Sequence, residues 1–388
     1  MILFLTNAYP DFTDSFRGHF LKKLAVNIYS SNFPLVVLTP HVFKKSPKFQ
    51  HEPEGFNVIR FPYPSGDRQL LSFKKVPYFR MIVFLISGFL FTLKTIKSYK
   101  CNIIHAHWVV PTGLIGAICG TILKIPVIIH ARGTDIHTYA SKGFFFRVIS
   151  GWTLKHAQYI IATSHAMKQT MVSDFNIPDS KINVIPTGID TDLFSPKPEN
   201  NNDSLNQKEK IILMYVGGLF PAKGINNLLN AVDSLFKDNP KLYLELIGDG
   251  PMKTLINTWI VEHKYENRIF LKGSVSHAKI PKLLQKADIF ILPSLKEGTP
   301  NSLLEAMACK VPSIASRVGD IPFVISNEED GLLFNSGDDA ELLEKICMLL
   351  ENPVLYKKIA DNARKKALRF SNLESLKSII NIYNNLSR

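Results

Sequence analysis

The sequence predicts an α/β chain of two doubly wound, parallel-sheet domains. Three observations carry that prediction. The chain has 388 residues, too long for one ordinary core and about right for two domains of roughly 180 residues each. Short, wholly apolar runs alternate with helical stretches from end to end, the pattern of parallel strands covered on both faces. Pro196-Lys-Pro198-Glu-Asn-Asn-Asn-Asp-Ser204 is polar, with two prolines and three consecutive asparagines, which is a linker composition.

The elements follow in order. In the first half, strands are expected near 2–6, 35–39, 57–61, 102–105, 126–130, 158–162 and 182–185, with helices such as 16–30, 77–98, 112–123 and 165–175 between them. In the second half, strands are expected near 211–217, 242–247, 268–272, 288–292, 312–316 and 332–334. Helices fall near 224–237, 251–263, 279–286, 302–309, 339–350 and 353–369. The domains are therefore drawn at 1–195 and 209–370, with a linker at 196–208 and a terminal helix within 371–388. Two such sheets facing each other would make a cleft lined by strand-end loops, where open parallel sheets bind their ligands.

Several classes are excluded. Hydrophobic residues make up 46% and charged residues 20%, a globular rather than disordered composition. Ile2 to Leu5 is a short apolar run with no basic lead, so it reads as a first strand rather than a secretory signal. Cys101, Cys119, Cys309 and Cys347 lie far apart with no CxxC pair, which supports neither a disulfide scaffold nor a zinc site and suits a reducing cytoplasm. The uncharged run Met81–Leu93 is shorter than the roughly 20 residues a membrane span needs. Trp108–Leu123 contains Pro111 and three glycines, and no membrane-crossing helix is expected.

The net charge is +13, but it is uneven. Residues 1–200 carry 22 basic and 11 acidic side chains, and residues 201–388 carry 24 and 22. A basic half points to an anionic membrane, a polyanionic substrate or nucleic acid. No interleaved aromatic–basic motif supports nucleic acid. Met81–Leu93 is flanked by Lys74, Lys75 and Arg80 on one side and by Lys94, Lys97 and Lys100 on the other. That helix is either a core helix or one that dips into an anionic leaflet, with Phe144, Phe145 and Phe146 as a second contact point.

The richest stretch is Ile289-Phe-Ile-Leu-Pro-Ser294-Leu-Lys-Glu297-Gly-Thr-Pro-Asn301-Ser-Leu-Leu-Glu305. A buried strand ends at a loop, and a helix begins near Asn301 or Ser302. Glu297 sits in the loop and Glu305 about one turn into the helix, so both can line one strand-end crevice. The helix N-terminus between them offers free N–H groups and a positive dipole end. Gly298 and Pro300 give a tight turn. Two glutamates eight apart are, as bare physics, more often a solvated pair.

In context, Glu297-x7-Glu305 with its Gly298 and Pro300 resembles the signature of the GT-B glycosyltransferases, specifically retaining family 4, the glycosyl transferases group 1. Tyr215-Val-Gly217-Gly218-Leu-Phe-Pro-Ala-Lys223-Gly224, Leu246-Ile-Gly248-Asp-Gly250 and Val184-Ile-Pro-Thr187-Gly188-Ile-Asp190-Thr-Asp192 resemble that family's donor-domain strand ends and hinge. Ala315-Ser-Arg-Val-Gly319 and Asp330-Gly331 follow at its spacing. His105-Ala-His107 and His130-Ala-Arg132-Gly133-Thr-Asp135 supply a looser match in the first half.

The resemblance implies two Rossmann-like domains facing across a cleft, with the C-terminal helix crossing back to the first. It implies hexosyl transfer from a nucleotide sugar, UDP favoured and GDP second. The acceptor would be a lipid-linked or polysaccharide intermediate of cell-envelope glycan synthesis, at the inner face of an anionic membrane. Glu305 would hold the ribose, and Glu297 the donor sugar near the reacting carbon. Amides from Thr299 through Pro300, Asn301 and Ser302 to Leu303 would hold sugar and phosphates. Lys223 would meet the leaving diphosphate, Gly18 would let backbone approach it, Gly218 would be among the substrate-binding positions, and His107 and Asp135 would lie on the acceptor side. The nucleotide sugar is a co-substrate, and neither a cofactor nor a metal is required.

Departures accompany the match. Gly218 stands where the family usually has Arg, halving the cationic clamp. Arg132 stands where many members have His; it cannot serve as a general base but could hold phosphate. A catalytically silent nucleotide-sugar binder and an epimerase of the same fold stay open as alternatives. His105 and His107 share a strand face, but no third metal ligand is placed beside them. Asp190-Thr-Asp192 reads as turn chemistry. Gly248-Asp-Gly250 and Gly217–Gly224 lack the spacing of a dinucleotide or P-loop motif.

Overall fold

The structure is a computed structural model that describes residues 1–12, 15, 17–70, 77–133, 136, 143–198, 205 and 208–387. Asp135, Lys74, Lys75 and Lys142 lie outside the described residues. The chain divides into two compact units, Met1–Pro186 with Leu376–Arg388, and Thr187–Ser375.

The first unit holds β1 (Ile2–Leu5), α1 (His19–Ser30), β2 (Leu35–His41), β3 (Phe49–His51), β4 (Asn57–Pro62), α2 (Tyr78–Tyr99), β5 (Ile103–His107), α3 (Leu114–Leu123), β6 (Val127–His130), α4 (Phe144–Lys155), β7 (Tyr159–Ala162), α5 (His165–Phe175) and β8 (Ile182–Val184). Its sheet runs β3-β4-β2-β1-β5-β6-β7-β8, parallel except for the β3 edge. Alternate residues of each strand face opposite layers. Leu3 and Leu5 pack under α2 to α5, whereas Ile2 and Phe4 pack under α1 and the C-terminal helix residues Leu376, Ile379, Ile382 and Tyr383.

The second unit holds β9 (Ile211–Val216), α6 (Ile225–Asp238), β10 (Leu242–Ile247), α7 (Lys253–Glu262), β11 (Ile269–Gly273), α8 (Ile280–Leu284), β12 (Ile289–Leu292), α9 (Asn301–Ala308), β13 (Ser313–Ser316), α10 (Ile321–Val324), β14 (Leu332–Phe334), α11 (Asp339–Glu351) and α12 (Pro353–Leu368). Its all-parallel sheet runs β11-β10-β9-β12-β13-β14. The last helix, α13 (Asn372–Leu386), begins in this unit and continues into the first. Strand order reverses between β1 and β5 in one sheet and between β9 and β12 in the other. Such a switch point opens a crevice at the strand ends.

The compact units are bounded differently from the domains drawn above, and two elements are new. The unit boundary falls at 186/187 rather than 195/196. Ile189 trades backbone hydrogen bonds with Phe370 and Asn372, Arg364 donates to the carbonyls of Thr191 and Phe194, and Phe194 is fully buried in the second core. The helix expected at 77–98 is α2, Tyr78–Tyr99, in which the apolar run Met81–Leu93 continues into exposed Lys94 and Lys97. Among the described residues it is the one helix long and apolar enough, by length and composition, to cross a membrane. The antiparallel strand β3 and the helix α4 were not anticipated.

Candidate active site

In the second unit, the site is built where the sheet reverses order. After β9 the chain turns through Gly217 and Gly218 to a short helical turn at Pro221–Lys223. Gly224 then opens α6 at φ 65°, and a Cβ there would stand 1.9 Å from the Pro293 carbonyl oxygen. Only glycine fits that approach, and it binds the loop after β9 to the loop after β12. Leu295 and Lys296 both donate backbone N–H groups to Ala222 O, reinforcing the join.

Across that join Lys223 Nζ meets Glu297 Oε2 at 2.7 Å. Ser294 Oγ donates to the same oxygen at 3.0 Å, and Gly298 N–H donates to Oε1 at 3.3 Å. Gly319, at φ 53°, lets its loop pass the Glu297 carbonyl, where a Cβ would come within 2.1 Å. Glu297 is nearly buried and Lys223 about a quarter exposed. The two residues expected to serve sugar and diphosphate are thus paired with each other.

Glu305 lies one turn into α9 with its carboxylate mostly buried, and its Oε1 is 2.9 Å from His277 Nε2. Burial raises the Glu305 pKa, and the His277 contact opposes that rise. Between the two glutamates, the expected row of amides is thinner than the sequence implied. Pro300 has no N–H, and Asn301 N–H is already donated to Thr299 O. Ser302 and Leu303 keep first-turn N–H groups, which have no intrahelical acceptor. A Cβ on Gly298 would meet nothing within 4 Å, whereas one on Gly218 would strike the Phe220 ring at 2.6 Å.

In the first unit, Gly18 opens α1 at φ 68°, with a Cβ position 2.6 Å from the Ala8 carbonyl oxygen. The residues at the β5 and β6 ends differ from expectation. His107 pairs in register with His130, and His105 lies two residues back on the same face. Together the three form a buried cluster whose ligand-type atoms lie within 4.8 Å of one another. A third histidine is therefore present where the sequence placed none. Arg132 Nη2 stands 3.0 Å from His107 Nδ1 and 3.4 Å from His130 Nδ1. A guanidinium can only donate, so those Nδ1 atoms accept and the protons sit on Nε2. A cation at Nε2 would face those protons with a guanidinium nearby.

Burial first, and the Arg132 charge after it, depress the His105 pKa to about 3. Burial also holds His107 and His130 well below the usual range. His105 Nδ1 bonds the hydroxyl of Tyr383 on α13 at 2.5 Å. His107 has no exposed surface, so it supports Arg132 from beneath rather than meeting an acceptor. The Arg132 guanidinium also lies 5.2 Å from the Phe20 ring centroid. Asp135 is outside the described residues.

Sequence reasoning missed Ser294, His277, His130 and Tyr383. His130 had a readable signal, since it ends its apolar run as His107 ends the neighbouring one. Asp190 Oδ1 accepts the Leu193 N–H, in keeping with turn chemistry.

Residues 21–193 match the family model described as Glycosyltransferase Family 4, and residues 196–366 match Glycosyl transferases group 1. A putative teichuronic acid biosynthesis glycosyltransferase of Bacillus subtilis, TuaC, is 26% identical over 93% of this chain and 92% of its own length. A UDP-Gal:alpha-D-GlcNAc-diphosphoundecaprenol alpha-1,3-galactosyltransferase of Escherichia coli is 26% identical over 72% of this chain and 74% of its own. Among solved structures, HepE of Anabaena in complex with UDP superposes with a TM-score of 0.73 at 18% identity, covering 99% of each chain.

Proposed function

We propose that this chain, which belongs to the GT-B glycosyltransferases, moves a hexosyl group from a nucleotide sugar to a lipid-linked or polysaccharide acceptor with retention at the anomeric carbon. The observation that carries the reading is the Lys223–Glu297 pair at the β9/β12 switch point. A cation is held at a strand-end crevice by a carboxylate that an arriving diphosphate would displace. Lys223 then turns to the diphosphate and Glu297 to the sugar hydroxyls. Glu305, oriented by His277, accepts hydrogen bonds from the ribose.

As the bond from the anomeric carbon to the diphosphate oxygen breaks, negative charge grows on that oxygen. Lys223, the Ser302 and Leu303 amides and the N-terminal end of α9 meet it with positive field. The acceptor oxygen bonds to the anomeric carbon on the face the diphosphate leaves, and the acceptor proton passes to the leaving oxygen. This front-face scheme calls for no metal. UDP is the favoured carrier and GDP the second, supported by the UDP in the solved relative and the UDP-galactose in the E. coli relative's name. That name also supports a lipid diphosphate acceptor, and the reading sets the work at the cytoplasmic face of an anionic membrane, with acceptor recognition on the first unit.

One observation favours a second reading, a silent nucleotide-sugar binder. Gly218 leaves Lys223 as the single side-chain cation of the expected clamp. The purified protein with a panel of UDP- and GDP-sugars separates the two. A bound donor should stabilise the fold by about 2.7 kcal/mol at a hundredfold excess over its dissociation constant, and nucleoside diphosphate should be released. Stabilisation without release would select the silent binder, and turnover unchanged in Glu297→Ala would remove the catalytic assignment.

A further inference from the structure

The layer of α2, α3 and α4 on the first unit leaves an apolar surface that no described part of the chain covers. One ridge of α2 is bedded on the sheet, with Phe84 beside Phe61 and Gly88 against Ile115. On the opposite ridge, Phe79 is 73% exposed, and Ile82, Ile86 and Leu90 are each 57% exposed. Their spacing of three and four residues sets them in one line. The same line continues into exposed Lys94 and Lys97. On α4, Phe144, Phe145, Val148 and Trp152 are likewise exposed, with Arg147 and Lys155 among them.

The topology puts these ridges side by side. α2, α3 and α4 each run back against the strands to feed β5, β6 and β7, neighbouring parallel strands. The helices therefore run in one direction, with α3 packed between the other two. Their C-terminal ends gather Lys97, Lys100, Lys124 and Lys155 along one edge. Between Asp67 and Asp174 the sequence has a single acidic residue, Asp135. Apolar patches of this kind on a monomer mark interaction sites, and the lysine rim says which kind.

We propose that this three-helix face lies on an anionic lipid bilayer. Its phenylalanines, isoleucines and tryptophan enter the boundary between head groups and acyl chains, and the lysines meet lipid phosphates. The proposal rests on the reading of a membrane-held acceptor and gives it a docking surface. A second copy of this chain fits worse, since two such rims would repel. The α2 helix lies on the bilayer rather than across it, because its other ridge holds the sheet.

The test is cosedimentation with vesicles of phosphatidylcholine alone and of phosphatidylcholine mixed equally with phosphatidylglycerol. The wild-type protein should bind the mixed vesicles, release them as salt rises, and leave the neutral vesicles largely unbound. Lys94→Gln with Lys97→Gln should weaken binding about thirtyfold, the sum of two basic residues near an anionic surface. Ile82→Asn with Ile86→Asn should weaken it by more than about a hundredfold. Both pairs are exposed, so the nucleotide-sugar thermal shift of the second unit should be unchanged. Equal binding to both vesicles, indifference to salt, or indifference to both double variants would overturn the proposal. So would a dimer that the Ile variants dissolve without any vesicle binding. Vesicle binding that behaves as expected in a protein with no nucleotide-sugar shift would uphold this surface and remove the functional reading instead.

Discussion

The two units open their first helix in the same way and then diverge. Gly18 starts α1 and Gly224 starts α6, both left-handed, both pressed against a carbonyl from a neighbouring loop. Beside Gly224, Lys223 is held by Glu297, and on α9 Glu305 is held by His277. In the first unit, the crevice floor is three neutral, buried imidazoles under one arginine. The same topology thus carries a charge-handling site in one unit and a positioning site in the other. The net charge misleads about which is which. The strongly basic stretch belongs to the unit whose histidines are neutral, and Lys94, Lys97, Arg147 and Lys155 of it stand exposed on α2 and α4.

The largest effect that would break this contrast is catalytic. Lys223→Ala or Glu297→Gln should lower transfer by about a hundred- to a thousandfold, the scale of one lost group meeting transition-state charge. His107→Gln should cost far less, about tenfold, because it acts only through Arg132. Steady-state rates of nucleoside diphosphate release measure both. If His107→Gln proved as damaging as Lys223→Ala, the first unit would be doing chemistry and the contrast would fail.

Next in size is the backbone. Gly224→Ala and Gly18→Ala should each destabilise by at least ~1–3 kcal/mol in urea unfolding, through left-handed strain and the blocked approach. Gly298→Ala, with open space around its Cβ position, should leave stability nearly unchanged. A tolerated Gly224→Ala would mean the β9 and β12 loops are not held together as described.

The smallest effect is on pH dependence, and its sign differs between the units. His105 titrates near 3 when folded and near 6.5 when unfolded. The unfolded chain therefore binds the extra proton between those values. The first unit's stability is full above about pH 6.5 and falls as pH drops, by up to about 1.4 kcal/mol per pH unit for each histidine kept neutral. Glu305 is raised instead, so its contribution is present below its unfolded value and is lost as pH rises through the folded one. Hydrogen exchange of each unit at pH 7.5 and 5.5 should show protection falling in β5 and β6 on acidification. His105→Asn should flatten that fall, and unchanged protection in the wild type would refute the neutral cluster.

Much of this was legible in sequence because it is local. Apolar runs and their breaks placed β9 to β14 within a residue or two, and Lys223-Gly224 and Glu297 to Glu305 lie within single loop–helix segments. What escaped depends on register or on long-range packing. His130 joins His107 across a strand pair, His277 reaches Glu305 from the loop after β11, and Tyr383 reaches His105 from the far end of the chain. The boundary at 187 was missed because Phe194 is held by Arg364 of α12 and Ile189 by the turn before α13, not by composition. The extent of α2, by contrast, was legible to within a residue, because an exposed lysine continues a helix readily past the apolar run that ends at Leu93.

The central claim is that Lys223 leaves Glu297 for the diphosphate of a nucleotide sugar. Calorimetric titration of the wild-type protein and of Lys223→Ala with UDP and GDP tests it most directly. One of the two nucleotides should bind the wild type, and Lys223→Ala should lose about ten- to a hundredfold in affinity for it, the range of a charge-assisted contact. Equal affinity in both proteins, or no binding of either nucleotide to the wild type, would contradict the account.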